Sequence, residues 1–195
     1  DGANSGILSS GGGSGGAINL TAGVIVGTGT LRANGGYTVG NGGGGGGGLI
    51  ALKTNTLNSF TGIKSAVPGT GYQNGGAGFT AEQPGLSSNY TVTVAGMGVI
   101  PGTNTVIPAN FPGIENLIIS TATVVSTTFS VTNLTLGKNA VVSVNQVTAS
   151  SLTVNPNSNP TINGTVIVQG NTSLPAGSIL TASSMSVAGD LTLLP

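Results

Sequence analysis

The sequence predicts an all-β fold: a right-handed parallel β-solenoid punctuated by glycine-rich turns or loops. Three observations predict it. The composition favours strands and turns over helices. The first half repeats itself at an offset of 32, which sets Gly16 over Gly48, and the second half spaces its apolar segments by 17 to 20. A β-sandwich is the alternative, because short strands with frequent turns suit it too.

Composition sets the frame. Glycine supplies 36 of 195 residues, and cysteine, tryptophan and histidine are absent. Four basic and four acidic residues give a net charge of zero, and the mean hydropathy is +0.33. Disordered chains are typically charged and poor in apolar residues, so this chain is expected to fold. Val, Ile and Thr suit strands, whereas Gly and Asn suit turns. Good helix formers are scarce.

The same composition excludes several function classes. Zero net charge argues against nucleic acid, which needs a basic surface to displace counterions. Nor does it attract anionic membranes. No apolar run approaches the roughly 20 residues of a spanning helix, so membrane insertion is not expected. Without cysteine there is no disulfide framework. Residue 1 is Asp rather than a Met with a basic stretch. The expectation is a mature chain, or a segment of a longer one.

The elements of residues 1–100 follow from the repeat. GAINLTAGVIVGTGTLRAN (16–34) aligns without a gap on GLIALKTNTLNSFTGIKSA (48–66). This puts Gly16 over Gly48, Ile18 over Ile50, Leu20 over Leu52, Ile25 over Leu57, Leu31 over Ile63 and Arg32 over Lys64. Ile18-x-Leu20 and Ile50-x-Leu52 alternate with the period of a strand buried on one face. A second strand follows shortly after the first in each copy. A third glycine cluster, NGGAGFTAEQ (74–83), starts a shorter copy.

Glycine tracts precede each copy: GGGSGG, then the unbroken run from Gly42 to Gly48. They are expected to form turns or loops, since glycine tolerates sharp corners and close backbone approach. A dinucleotide loop would need a helix after it and an acid about 20 residues on. Here the pattern that follows is β, and the first acid is Glu82. A P-loop would need Gly-Lys-Ser/Thr, which is absent. Bundled polyglycine-II helices would need several tracts packed together, and only one tract is long.

GGAINLTAGVIVGTGTLRANGG and GGGGGGGLIALKTNTLNSFTGIKSAVPGTGYQNGGAG resemble a glycine-rich repeat of large secreted or surface proteins of bacteria. The resemblance covers roughly residues 11–82. Leu49 departs from it where the family often has Arg, as does VPG (67–69) where a glycine pair is common. It implies a surface location and a solenoid whose glycine tracts protrude as loops. It implies little about activity.

Residues 101–195 read as a continuation with a shorter coil, entered through PGTNTVIPANFPG (101–113). NLIIS, NLTL, SLTV, TVIV and DLTLL carry the apolar pattern. The step from Leu117 to Leu134 is 17, from Leu134 to Leu152 it is 18, and from Leu152 to Leu191 it is 39, or two coils. Such coils suit a parallel solenoid. Thr135, Thr153 and Thr192 are expected to point outward.

Candidate chemistry is sparse. Histidine triads and zinc–thiolate sites lack their residues. Glycosidase-type acid pairs would have to come from Asp1, Glu82, Glu115 and Asp190; no spacing puts two on adjacent coils, and the 33 residues from Glu82 to Glu115 could span two coils. No catalytic residue, metal site or cofactor is assigned, and an enzyme is not expected. Arg32 and Lys64, with Lys53, could form a basic strip toward an acidic glycan, or simply discourage edge pairing. Tyr37 and Tyr72 lie beside glycine clusters, where they could stack on a sugar or cover a coil edge. Tyr37, Tyr72, Arg32 and Lys64 are therefore the candidate glycan contacts. The pairs Thr91/Thr93, Thr103/Thr105 and Thr121/Thr123 are spaced too irregularly for an ice-binding ladder. Asn19, Asn89, Asn133, Asn163 and Asn171 precede x-Ser/Thr, which matters only in a glycosylating pathway.

The functional expectation is an extracellular structural protein: a stiff segment of a surface fibre, filament or giant adhesin. Its ends would stack on another subunit or continue into more chain. The alternative is an adhesin-type module that recognises a surface glycan through its glycine-rich loops.

Overall fold

The computed structural model describes residues 1–195 except 9, 84, 86, 97–102, 109, 110, 112 and 195. Part of the proline-containing stretch 101–113 thus lies outside the described residues. Strands, turns and bends make up the described structure, with no helix among the described residues. The strands of the first half are β1 (Ala17–Gly27), β2 (Thr30–Arg32), β3 (Leu49–Phe60), β4 (Ile63–Ser65) and β5 (Phe79–Glu82). Those of the second are β6 (Tyr90–Ala95), β7 (Thr105–Val106), β8 (Ile114–Ser120), β9 (Thr123–Val125), β10 (Thr128–Leu136), β11 (Val141–Val154), β12 (Thr161–Val168), β13 (Thr172–Leu174), β14 (Thr181–Val187) and β15 (Leu191–Leu193).

One sheet runs through both halves in the order β1-β3-β5-β6-β8-β10-β11-β12-β14, while β2 and β4 form a separate pair. Every pairing among the described strands is parallel except β5 with β6. This mostly parallel architecture is compatible with a β-solenoid.

In the second half each coil feeds three ladders, and β11 alone contributes to all three. Residues 141–143 pair with β9 and β12, 146–149 with β10 and β12, and 151–154 with β10 and β13. Like residues stack on like. Leu117, Leu134, Leu152, Thr172 and Leu191 occupy one column, one residue from each successive coil. Val124, Val142 and Ile162 form a second column, and Val131, Ala149 and Val168 a third. All of these except Leu191 are buried. Alternation along each strand aims them at one core, where each large aliphatic side chain contributes about 1.5–3 kcal/mol. Thr153 and Thr192 are exposed, and Thr135 is half-buried.

Polar residues stack as well. Asn116 donates its Nδ2 to the Thr91 hydroxyl at 3.0 Å. Asn133 donates to the Asn116 Oδ1 at 2.8 Å, and the Ser151 hydroxyl donates to the Asn133 Oδ1 at 2.7 Å. Each residue faces its equivalent in the next coil, so one amide can donate up and accept down.

In the first half the expected offset of 32 holds from Ala17↔Leu49 to Ala22↔Thr54. A bulge then adds one residue to β3. Beyond it every partner moves on by one: Val24 pairs with Leu57, Ile25 with Asn58, Leu31 with Lys64 and Arg32 with Ser65. The expected pairs Ile25/Leu57, Leu31/Ile63 and Arg32/Lys64 are therefore each displaced by a single position. The buried apolar core around β1–β4 is small: Ala33, Ile50, Leu52 and Ala66, whereas Ala77 and Ala81 pack with the core of the second half.

The glycine-rich segments are not protruding loops. Segments 1–5, 33–39 and 66–72 lie side by side in one layer, and 10–16, 42–48 and 73–78 in a second layer. The hydrogen bonds follow a period of three. Gly44 and Gly47 donate to Gln73 and Gly76 in their own layer, whereas Gly45 and Gly48 donate across to Gly36 and Ala33. That is the pattern of polyglycine-II helices, which have about three residues per turn and no internal hydrogen bonds. The requirement for several packed tracts is met by segments that also carry Ala, Asn, Thr and Tyr. Glycine is needed at the interior positions for close approach. A Cβ at Gly12, Gly35, Gly45, Gly69 or Gly75 would strike a backbone carbonyl of the neighbouring segment.

Candidate functional site

The layer formed by 1–5, 33–39 and 66–72 exposes every third residue on its outer face. Two rows result, Asp1, Asn34, Val67 and Asn4, Tyr37, Thr70, each advancing by 33 from one segment to the next. Among the described residues no further segment pairs with the outward backbone N–H groups of Asn34, Tyr37 and Val67. Side chains of the preceding copy satisfy them instead. Asp1 Oδ1 accepts from the Asn34 N–H at 3.0 Å, Asn4 Oδ1 from Tyr37 at 3.0 Å, and Asn34 Oδ1 from Val67 at 3.1 Å. The Ser65 hydroxyl also donates to Asn34 Oδ1, at 2.8 Å. With both carboxamide oxygens turned to the backbone, the Nδ2 groups of Asn4 and Asn34 point away from it.

These rows line a groove of ≈ 370 Å³ together with Arg32 and Pro68. Arg32 Nη2 lies 2.6 Å from Asp1 Oδ2. Tyr37 is 50% exposed. The groove therefore combines a half-exposed aromatic ring, two amide donors, a threonine hydroxyl and a neutralised ion pair.

The four sequence candidates do not converge. Tyr37 and Arg32 share this groove. Lys64 lies in a separate recess of ≈ 180 Å³ with Glu82, 3.1 Å from its carboxylate, and its ammonium sits 5.3 Å from the Phe60 ring centroid. Tyr72 is 76% exposed and lines neither recess. Arg32 and Lys64 are not brought together: the bulge breaks their equivalence, and each of the two pairs with its own carboxylate, while Lys53 of β3 stands opposite Thr21. Asp1, Asn4, Asn34 and Thr70 were missed as site residues. The constant step in Asp1/Asn34 and Asn4/Tyr37/Thr70 was the available signal.

A larger recess of ≈ 560 Å³ is floored by glycines from 15–16, 46–48 and 76–78 and walled by Thr103–Val106. It offers backbone, small side chains and the apolar Leu49 and Phe79, with no titratable group among its lining residues. No cluster of three metal-ligating residues occurs among the described residues. Comparison with family models, with curated proteins and with solved structures finds no match for this chain.

Proposed function

We propose that the chain is an extracellular structural protein, a right-handed parallel β-solenoid segment of a surface fibre, filament or giant adhesin. The observation that carries this reading is the column Leu117–Leu134–Leu152–Thr172–Leu191, stacked in parallel register and ending on a coil whose outer edge no described strand pairs with. Leu193 is 68% exposed and Ile179 67%. The parallel pairing supports a solenoid over a sandwich, whose sheets are antiparallel. Coils joined by continuous backbone hydrogen bonds make a stiff rod. The other end also bares apolar residues: Leu20, Val24 and Val26 of β1 are exposed on an edge strand. Unpaired edges of this kind take another coil, from more chain or from a second subunit.

Electron microscopy of the purified chain at raised concentration tests this, with Leu191→Asn/Leu193→Asn as the comparison. Filaments or end-joined particles in the parent and single rods in the variant are the expected result. Identical single particles in both count against self-association.

A further inference from the structure

We infer that the Tyr37 groove binds a neutral pyranose residue, the repeating unit of an uncharged polysaccharide. This goes beyond the fibre reading and stands or falls separately from it. The shape comes first. At ≈ 370 Å³ the groove falls in the size range of small-molecule sites and is open along one layer of polyglycine-II segments. Its floor is rigid, because neighbouring segments are tied together by main-chain bonds such as Gly35 to Val67 at 2.9 Å and Thr38 to Thr70 at 2.9 Å.

The chemistry follows from the two rows. Tyr37 offers a ring face to the C–H surface of a sugar and a hydroxyl at its rim. Asn4 and Asn34 have committed Oδ1 to the backbone, so each presents Nδ2 as a donor to a sugar hydroxyl. The Thr70 hydroxyl both donates and accepts. A pyranose has this composition: an apolar face edged by hydroxyls that act both ways.

Charge selects the neutral sugar. Arg32 is held by Asp1 at 2.6 Å, so its guanidinium is compensated rather than free. A sugar carboxylate would enter beside Asp1 and compete with it for the guanidinium. Lys64, a second cation considered for an acidic glycan, is engaged by Glu82 in a different recess.

Saturation-transfer NMR on the whole chain tests this, with the methyl glycosides of glucose, galactose, mannose and N-acetylglucosamine as probes, and methyl glucuronide and galacturonide as acidic counterparts. The expected result is transfer to at least one neutral glycoside, with binding about tenfold weaker in Tyr37→Ala. Tyr72→Ala should bind as the parent does. Thr70→Gln, which fills the groove without adding charge and leaves Tyr37 in place, should bind as weakly as Tyr37→Ala. Amide spectra matching the parent show that the variants remain folded. Absence of transfer to every neutral glycoside overturns the inference. So does undiminished binding in both groove variants, or tighter binding of a uronide than of its neutral counterpart.

Discussion

The N–H of Gly69 donates to the carbonyl oxygen of Gly45 at 2.7 Å, joining the two glycine layers at their centre. Gly45 in turn donates to Gly36 at 2.9 Å, so one residue links three segments. Such a lattice leaves no room for a Cβ inside and ample room outside. Gly45→Ala should cost about 1–3 kcal/mol or more through overpacking against the Gly13 carbonyl. Gly46, one residue on, faces outward, with its nearest neighbour, the Gly76 carbonyl oxygen, 3.8 Å from an added Cβ. Its φ is not in the left-handed region. Gly46→Ala should be neutral or stabilising by about 0.4–1 kcal/mol, through a less flexible unfolded chain. Urea unfolding of the two variants checks the contrast, and equal effects would refute the layered arrangement.

The Asn column makes a second prediction. Asn133 is the middle member, donating to Asn116 and accepting from Ser151. Asn133→Ala removes both bonds and should cost about 1–2 kcal/mol. Asn163 makes one exposed bond, to the Ser143 hydroxyl at 3.2 Å. Its alanine variant should lose a few tenths of a kcal/mol, roughly what a solvent-exposed bond contributes. Thermal unfolding midpoints should rank the two in that order.

One corner of the coil holds a left-handed residue in successive turns: Thr121 at φ 50°, Asn139 at 52°, Asn157 at 53° and Gly177 at 69°. Asn and Gly tolerate this region, whereas a β-branched residue is strained there. Thr121→Asn should therefore stabilise the chain by about 1 kcal/mol, measured as a raised denaturation midpoint. A drop would mean that the Thr121 hydroxyl bond to the Lys138 carbonyl, at 3.3 Å, outweighs the strain.

Position in the stack should decide the cost of truncation. Leu134 is fully buried between Leu117 and Leu152, so Leu134→Ala should cost about 2–5 kcal/mol. Leu193 is exposed on the last described strand, and Leu193→Ala should cost well under about 1 kcal/mol, as surface substitutions do. Guanidinium unfolding of both variants gives the comparison.

Much of the second half was legible because its signal is apolar and periodic. Leu117, Leu134 and Leu152 announce the coil, and Leu152 to Leu191 spans two coils with Thr172 on the intermediate one. A single hydroxyl in that column hid the step. The bulge between Ala22 and Val24 was illegible for a different reason. One inserted residue in β3 leaves every residue type in place and changes only which partner it meets. The glycine layers were hidden because their hydrogen bonds join short segments far apart in sequence. Ala3, Ala33 and Ala66 accept bonds there as readily as glycine does, so counting long glycine tracts underestimates the lattice. The groove shared this fate, since Asn4 and Asn34 act on the backbone N–H groups of Tyr37 and Val67, a whole repeat further along the chain. The reversal at β5–β6 has no pattern of its own in the sequence. Phe79 and Tyr90 meet there edge-on against Phe111, at 6.0 and 5.9 Å between centroids.

The two layers of glycine segments also set how the chain responds to temperature. The second half is held by a continuous aliphatic core, whose contribution weakens on cooling because apolar hydration dominates its heat capacity. The first half buries little hydrocarbon and is held largely by main-chain bonds among residues without side chains. Polar surface exposed on unfolding lowers the heat-capacity change, against a usual average of about 12–15 cal/mol/K per residue. The glycine-rich half should therefore have the flatter stability curve of the two. One chain thus joins a part whose cohesion fades in the cold to a part whose cohesion hardly notices it.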